Sequence, residues 1–361
     1  MDNENRINSF LEMVIKQSGS DLHLVSGNPP RMRLQGDIYP IKYRELDAEE
    51  TMELLTEIMP EHKRKEFENK DSIDFTYEAP HLSRFRVNVF RHVKGVGAVF
   101  RIIPNKIKTL DDLKLPPIIK NLCGQTKGLI LVTGPTGSGK TTTLAAMVDH
   151  INTERKAHII TIEDPIEYAH QNKSSLVSQR EVGTHTNSFV QALRSALRED
   201  PDVILVGELR DFETISMAVT AAEMGILIIG TLHTNSAAAT VERIINVFPP
   251  GDEPYIRTML STSICGIVCQ QLIRLKDNRD RMAVVEVMLN NTAISNIIRQ
   301  GQPEQIDNVI QSGSMQGMQS FDNALRKLLD ENLISGTEAY KKCKHKENFE
   351  QYKLLQDEIY S

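Results

Sequence analysis

Four short apolar runs, each followed by polar residues, constrain the fold of this chain most. They are GLILVTG, HIITIED, DVILVGE and ILIIGTLH, at residues 128–134, 158–164, 202–208 and 226–233, and helical patterns separate them. Short buried strands that alternate with helices predict an α/β fold, in which helices cover both faces of a parallel sheet. Because ligands of such sheets bind beyond the carboxyl ends of the strands, we expect the polar ends of the runs to converge on one site.

The remaining sequence predicts a second, smaller domain. A chain of 361 residues is long enough for about two domains. Residues 1–103 are predicted to form a smaller α+β domain, residues 104–117 a proline-containing linker, and residues 118–361 the α/β domain with a helical C-terminal portion. The elements predicted in the smaller domain are helices at 6–16 and 47–59, the second capped by Asp47 with Glu50, and strands at 21–25, 83–90 and 95–104.

Composition excludes several classes of protein. A net charge of −6, the absence of tryptophan and 5% aromatic residues argue against a nucleic-acid binder. No apolar run approaches ~18 residues, so we expect no membrane insertion, and the N-terminus lacks the layout of a secretion signal. We therefore predict a cytoplasmic protein. Its cysteines are predicted to be reduced, buried thiols without a structural metal, and they are Cys123, Cys265, Cys269 and Cys343.

Residues 134–141, GPTGSGKT, match the phosphate-binding pattern G-x-x-x-x-G-K-[ST] in full, after a predicted strand and before a predicted helix. Glycines let backbone N–H groups wrap around phosphate, and a helix N-terminus attracts negative charge. Lys140 is expected to reach the β- and γ-phosphates of a nucleotide, and the Thr141 hydroxyl to complete a Mg²⁺ shell. The predicted nucleotide-binding residues are Gly134, Pro135, Thr136, Gly137, Ser138, Gly139, Lys140, Thr141 and Thr142.

Three further strand ends carry the predicted catalytic residues. Glu208 follows the strand at 202–206 and is predicted to contact Mg²⁺ or its water. Glu163 closes another strand and is expected to orient and deprotonate the attacking water, whereas the nearby Asp164 and Glu167 are as readily interpreted as helix-capping acids. His233 ends the fourth strand, and we expect it to sense the γ-phosphate rather than to act as the base.

In this order the motifs closely resemble those of the PilT-type secretion ATPases, the motors that retract bacterial type IV pili. That family carries a Walker A loop, an acidic Asp box, a Walker B strand and a His box. The corresponding segments here are GPTGSGKTT at 134–142, ITIEDPIEY at 160–168, DPDVILVGELRD at 200–211 and GTLHTNSA at 230–237. Connecting segments match as well, so the resemblance covers nearly the whole chain.

The resemblance implies a RecA-like P-loop ATPase core, a PAS-like N-terminal domain and a homo-hexamer that binds ATP and Mg²⁺ between its two domains. It makes Glu163 the catalytic carboxylate, Glu208 the Walker B acid and His233 the His-box residue. It also implies a peripheral position at the pilus base, on an inner-membrane platform protein. Arginines of the N-terminal domain would complete the site, some of them from a neighbouring subunit. The candidates are Arg84, Arg86, Arg91 and Arg101, for which the alternative interpretation is the solvent face of a strand.

Within the family, a tetracysteine zinc element and an extra N-terminal domain are typical of extension motors, and their absence favours ATP-driven pilus retraction and twitching motility. The family's C-terminal motif is close to AIRNLIRE, and here it is AISNIIRQ, with Ser295 and Gln300 in place of arginine and glutamate. An accessory retraction ATPase beside a principal motor is therefore the first alternative, with related pilus ATPases as partners. A pilus extension or secretion ATPase, a nucleic-acid translocase and a nucleotide-binding regulator are weaker alternatives.

Overall fold

The computed structural model describes residues 6–34, 36–103, 106–276 and 281–353. The chain divides into two compact units, residues Met1–Lys106 and Ile107–Ser361. Pro104, predicted to begin the linker, lies outside the described residues. Part of the predicted linker packs into the second unit, because Leu110 and Leu115 are buried in its core.

The first unit is an antiparallel sheet with helices on one face. Its helices are α1 (Ile7–Lys16), α2 (Ala48–Ile58) and α3 (Glu61–Glu68), and its strands are β1 (Asp21–Val25), β2 (Arg31–Leu34), β3 (Asp37–Pro40), β4 (Ser72–Ala79), β5 (Ser83–His92) and β6 (Gly95–Ile103). The strand order is β3-β2-β1-β6-β5-β4. The predicted helices and strands are thus confirmed, while the likeness to a PAS domain stays a prediction.

Amphipathic patterns explain how this unit packs. The helix α1 buries Ile7, Phe10, Leu11 and Val14 against the sheet, as its 3.6-residue period requires. Alternation in β5 places Phe85, Val87 and Val89 in the same core. The polar residues between them therefore lie on the other face of the sheet.

The predicted cap of α2 is confirmed in part. The Asp47 side chain accepts a hydrogen bond from the Glu50 backbone N–H at 2.8 Å, as an N-cap residue does. The Glu50 carboxylate, however, binds the guanidinium group of Arg44 at 2.6 and 2.7 Å. The Glu50 carboxylate therefore forms an ion pair with Arg44 instead of accepting the hydrogen bond from the Asp47 backbone N–H that a capping box requires.

The second unit is a mixed sheet with helices on both faces, followed by a helical portion. Its strands are β7 (Gly128–Thr133), β8 (His158–Glu163), β9 (Leu176–Glu181), β10 (Val203–Val206), β11 (Leu227–Leu232), β12 (Ile264–Arg274) and β13 (Arg281–Leu289). Its helices are α4 (Ile118–Cys123), α5 (Lys140–Glu154), α6 (Phe189–Ala196), α7 (Phe212–Glu223), α8 (Ala237–Asn246), α9 (Glu253–Ser263), α10 (Thr292–Gln300), α11 (Ile306–Ser312), α12 (Phe321–Asp330) and α13 (Gly336–Lys342). Short 3₁₀ helices lie at Pro303–Gln305, Ser314–Gln316 and Lys346–Tyr352.

The order of this sheet is β13-β12-β7-β11-β10-β8-β9. All four apolar runs form strands, they pair in parallel, and residues of alternate parity enter cores on opposite faces. Sequence analysis missed β9, β12 and β13. The strand β12 extends the sheet in parallel beside β7, and β13 returns antiparallel at the edge.

Lys341 and Lys342 near the C-terminus are exposed, whereas the Lys344 ammonium lies 2.7 Å from Asp307 and 3.8 Å from Glu286. All four cysteines are free thiols, but Cys265 is only partly buried, so the prediction of a buried thiol is wrong for this residue. In the described part of the chain, no helix combines the length and the apolar character that crossing a membrane requires.

Candidate nucleotide-binding site

The carboxyl ends of four neighbouring strands meet at one edge of the parallel sheet. Leu232 at the end of β11 pairs with Thr133 at the end of β7, while Val206 of β10 pairs with Gly230 on one side and with Ile162 of β8 on the other. The phosphate-binding loop, Glu163, Glu208 and His233 follow these ends directly. The predicted convergence of the four motifs is therefore confirmed.

The loop between β7 and α5 is built for close approach of a ligand to the backbone. Gly134, Gly137 and Gly139 have φ angles of 145°, 76° and 86°, which other residues rarely adopt. A Cβ atom on Gly134 would lie 2.2 Å from the Gln270 carbonyl oxygen, so a side chain there is excluded. The helix α5 begins without a side-chain cap, and the buried Ser138 hydroxyl has no hydrogen-bond partner among the described residues. These features fit a nucleotide phosphate.

A chain of polar contacts joins three of the four motifs. The Lys140 ammonium donates to the carbonyl oxygens of Gly134 at 2.7 Å and Pro135 at 3.1 Å, and it lies 3.5 Å from His233 Nδ1. The other ring nitrogen, Nε2, lies 3.3 Å from Glu208 Oε1. Because an ammonium can only donate, Nδ1 accepts and the proton of the neutral ring is on Nε2, facing Glu208.

Hydrogen bonding and burial shift the pKa values of two groups in this series of contacts. The Arg210 guanidinium, 2.6 Å from Glu208 Oε2, lowers the pKa of the Glu208 carboxyl by hydrogen bonding. Burial lowers the pKa of Lys140, against the opposing effect of Glu208. The site therefore holds a firmly ionised carboxylate beside the lysine. Sequence analysis did not pair Arg210 with Glu208, although the two residues are only two positions apart.

Glu163 occupies a different environment at the end of β8. It is buried, and it accepts hydrogen bonds from Thr161 Oγ1 at 2.6 Å and from Gln179 Nε2 at 3.1 Å. Burial raises the pKa of its carboxyl to about 6, although both hydrogen bonds oppose the change. A carboxyl whose pKa lies this close to neutrality is suited to proton transfer at physiological pH.

The segment after β8 folds back onto the phosphate-binding helix. Gln179 also donates to the Tyr168 carbonyl oxygen at 2.9 Å, and the Tyr168 hydroxyl lies 3.1 Å from Thr142 Oγ1. Asp164 and Glu167 cap no helix, because the structure describes every residue from 164 to 188 and the next helix, α6, is capped by Ser188. The helix-capping interpretation of these two acids is therefore wrong.

Gln270 supports the phosphate-binding loop from the neighbouring strand β12. Its amide nitrogen donates to the Ser138 carbonyl oxygen at 2.7 Å, and its amide oxygen accepts from Thr143 Oγ1 at 2.8 Å. The residue is 1% exposed. Sequence analysis missed it because β12 was not recognised, and the only signal was a glutamine pair within an apolar stretch.

The arginines of the first unit do not form one group. Arg84, Arg86 and Arg101 share the polar face of the sheet, with Arg86 directly opposite Arg101 in the register. Arg91 has the opposite parity and its guanidinium lies 4.6 Å from the Phe67 ring centroid, so it packs on α3.

The members of the polar face differ in their partners. Arg101 Nε donates to Asp21 at 2.9 Å, and the Asp21 side chain is 4% exposed. Arg86 lies 3.9 Å from the exposed Asp74, and Arg84 Nε is buried without a hydrogen-bond partner in the described residues.

A mostly parallel α/β sheet with this loop, an acidic strand end and a histidine beside the loop lysine defines a P-loop nucleotide-binding protein. The family model for type II/IV secretion system proteins matches residues 3–316, and the chain belongs to that family. The α/β fold class and the predicted secretion ATPase family are thereby confirmed.

Within this family, the chain is similar to individual ATPases of type IV pili. The chain is 48% identical over 343 residues to the type IV pilus retraction ATPase PilT of Pseudomonas aeruginosa, covering 95% of this chain and 99% of that protein. It is 41% identical over 330 residues to the type IV pilus ATPase PilU of the same organism, covering 91% and 86%. A crystal structure of the pilus retraction motor PilT with bound ADP is 42% identical, with a TM-score of 0.91 over 96% of this chain and 99% of that one.

Proposed function

We propose that this chain is an ATPase motor that hydrolyses ATP to power type IV pilus retraction, and thereby pilus disassembly and twitching motility. The single observation that carries the enzymatic part is the contact chain from Lys140 through His233 to Glu208. It connects the loop that fits phosphate to an ionised carboxylate and to a histidine of defined tautomer. The pilus part rests on near full-length similarity to PilT.

In this proposal the residues divide the work of hydrolysis. Residues 134–142 bind the nucleotide phosphates, with Lys140 turning from its loop carbonyls to the β- and γ-phosphates. Glu163 orients the attacking water and accepts its proton, since its buried carboxyl has a pKa of about 6. His233 senses the γ-phosphate, because moving Lys140 changes the donor that faces Nδ1.

Magnesium fits the same edge of the sheet. The hydroxyl of Thr141 and the carboxylate of Glu208 are the oxygen ligands that we assign to it, directly or through water. When bound, Mg²⁺ supplies charge neutralisation for the phosphates. Arg210 keeps Glu208 ionised for this role, and Gln179 keeps the Glu163 carboxylate oriented.

An arginine from a neighbouring copy completes the site in our proposal. Arg91 and Arg101 are already used by Phe67 and Asp21, so Arg84 and Arg86 are the favoured candidates. An arginine that stabilises the charge of phosphoryl transfer contributes about 10³–10⁵-fold in rate. Mixing Lys140→Ala protein with Arg84→Ala or Arg86→Ala protein tests this role. Partial return of ATPase activity is expected in mixed rings, and mixed rings that stay inactive for both arginines would refute it.

The assembly that we propose is a closed homo-hexamer in the cytoplasm, docked on an inner-membrane platform protein at the pilus base. A head-to-tail interface closes into a ring when its rotation divides the circle. Light scattering with nucleotide should give a hexamer mass, whereas a monomer under every nucleotide condition would exclude a ring motor.

An accessory retraction ATPase beside a principal motor is the second candidate. The 41% identity to PilU supports it, and so does the altered motif on α10. There Ser295 replaces the arginine of the PilT-type motif, and its hydroxyl lies 2.8 Å from the Ser261 carbonyl oxygen. Deleting the gene separates the two candidates, because loss of a principal motor abolishes retraction when related ATPases are intact.

The direct test of the enzymatic proposal is Mg²⁺-dependent ATP hydrolysis by the purified protein. Lys140→Ala should abolish productive nucleotide binding and hydrolysis, because the ammonium is needed at the phosphates. Lys127→Ala is the matched control, since Lys127 is exposed before β7 and should leave the rate unchanged. A wild-type protein that hydrolyses no ATP as a ring would overturn the proposal.

A further inference from the structure

A buried carboxylate lies outside the predicted site, at the edge of the same sheet. Glu286 is 3% exposed and belongs to β13, whose other residues after Arg281 are apolar. In the sheet register it pairs with Cys269 of β12, and Cys269 pairs with Thr133 at the end of β7. Glu286 therefore lies level with the residue that immediately precedes the phosphate-binding loop.

Its carboxylate holds the beginning of α8. Oε1 accepts a hydrogen bond from the Ala237 backbone N–H at 2.9 Å, at the first position of that helix. A negative charge is favourable there because helix N-termini carry partial positive charge. Only residues 234–236 separate Ala237 from His233, so the bond fixes the far end of the loop that carries the histidine.

The other side of the carboxylate faces the C-terminal portion. Lys344 Nζ lies 3.8 Å from Glu286 Oε2 and 2.7 Å from Asp307 of α11. The turn that carries Lys344 is itself held by Asp322, which accepts hydrogen bonds from the backbone N–H groups of Lys344 at 2.7 Å and His345 at 3.0 Å. Lys344 is thus brought to Glu286 by the end of α13 and the residues after it.

A cavity beside the contact between Lys344 and Glu286 allows these side chains to move. A cavity of about 350 Å³ is lined by Glu286, Asp307 and Lys344 together with neighbouring polar residues. One carboxylate oxygen of Asp307 is buried without a hydrogen-bond partner in the part of the chain that the structure describes. A glutamine at position 286 would still accept the bond from Ala237, although without the charge that favours a helix N-terminus. The contact with Lys344, in contrast, requires the negative charge of Glu286.

We infer that Glu286 is a positioning residue for His233, and that Lys344 makes this positioning depend on the placement of the C-terminal turn. The inference rests on the proposed ATPase function. It predicts that the C-terminal portion controls turnover through the start of α8, without contacting nucleotide. A change that removes Lys344 leaves the buried Glu286 carboxylate without its cation. A carboxylate that turns into the adjoining polar cavity to regain hydration then loses its bond to Ala237.

The test compares Glu286→Ala, Lys344→Met and the double variant Glu286→Gln, Lys344→Met as purified rings. Glu286→Ala and Lys344→Met should each lower kcat by about tenfold or more, because small displacements of catalytic groups have large effects on rate. Affinity for a non-hydrolysable ATP analogue should stay within about twofold, since the phosphate-binding loop is untouched. The double variant should recover most of the lost kcat, because it removes the uncompensated charge and keeps the bond acceptor.

Two controls distinguish positioning from simple loss of stability. Lys342→Met removes a neighbouring exposed lysine and should leave kcat unchanged. Leu328→Ala destabilises the same helical portion, and it should lower the melting temperature without a matching loss of kcat. If kcat merely follows melting temperature across all variants, or if the double variant recovers nothing, the inference is wrong. A wild-type ring without ATPase activity would instead refute the proposed function.

Discussion

Three candidate site residues of the second unit contact one another, whereas the candidate arginines of the first unit lie spread along its sheet. Lys140, His233 and Glu208 form a continuous set of contacts at adjoining strand ends. On the antiparallel sheet, Arg84 and Arg86 lie two residues apart on one strand. Arg86 lies 3.9 Å from Asp74, and Arg84 Nε has no hydrogen-bond partner among the described residues. The first arrangement is preorganised within one chain.

The difference follows from sheet geometry. Parallel strands bring all their carboxyl ends to one edge, so residues distant in sequence meet there. Antiparallel strands point their ends in opposite directions, and their side chains meet as cross-strand pairs along the sheet. Arg101 finds its anionic partner, Asp21, directly across from it in this way, whereas Arg84 and Arg86 are held in direction without a close carboxylate in the described part of the chain. Variants of both sheets test this contrast.

The largest effect is expected at Glu163. Replacing it with glutamine keeps the shape of the side chain and removes the base, so the protein should bind ATP with little hydrolysis. Loss of a positioned general base typically costs about 10²–10⁴-fold in kcat. Glu167→Gln is the control, because Glu167 is a nearby acid with no assigned role in proton transfer. Near wild-type hydrolysis by Glu163→Gln would transfer the role of base to another group.

The next effect concerns the support of the phosphate-binding loop. Gln270→Leu removes both side-chain hydrogen bonds, to Ser138 and from Thr143, so the loop loses its fixed conformation. Two lost buried hydrogen bonds of about 1 kcal/mol each correspond to ADP affinity weaker by about tenfold or more. Gln271→Leu changes a side chain on the other face of β12, so it should leave the affinity for ADP, measured by titration calorimetry, unchanged. Equal affinities for the two variants would show that the loop is preorganised without Gln270.

Two arginines on the polar face of the first unit's sheet should differ in their contribution to stability. Arg101→Gln leaves the buried Asp21 carboxylate without its 2.9 Å partner, and we expect a loss of about 1–2 kcal/mol in the stability of the first unit. Arg86→Gln should change stability by less than about 0.5 kcal/mol, because its contact with Asp74 is long and exposed. Chemical denaturation measures both changes. The reverse order of stabilities would contradict the assignment of Arg101 to a structural role.

The smallest effect is a displacement of the pH profile. Glu163 acts when ionised, so kcat should fall as pH falls through about 6, the pKa to which burial raises its carboxyl. Gln179→Leu removes a hydrogen bond that opposes this rise, and the acid limb should move to higher pH. Asn172→Ala is the control. The Asn172 side chain accepts a hydrogen bond from the Val177 backbone N–H rather than bonding to Glu163, so this variant should leave the pH profile unchanged.

The same raised pKa has the opposite sign for stability. A folded-state pKa above the ordinary value of 4.5 means that the protonated carboxyl is favoured in the folded protein. Its contribution to stability is therefore fully present below pH 4.5 and is lost as pH rises through about 6. Thermal melting of wild-type protein against Glu163→Gln, across this window, measures the difference. A melting difference that is constant with pH would contradict the raised pKa.

The sequence alone determined the class of fold and brought the four motifs of the candidate site to notice. Four apolar runs and a complete phosphate-binding pattern are local signals, and each of them records the strand, turn or helix that its own residues form. The order of the four motifs along the chain also sufficed for the family. Even the cap of α2 by Asp47 was legible, because a cap is made within three residues.

Only the tertiary structure decided which residues support the site. Gln179, Glu286 and Gln270 contact residues that lie 16, 49 and 132 positions away, namely Glu163, Ala237 and Ser138. They do so from strands that sequence analysis did not recognise. The same holds for Arg91 and Arg101, whose partners come from α3 and from β1. A local pattern fixes which way a side chain points along its own strand. What that side chain meets depends on sheet order and register, which arise when the whole chain packs.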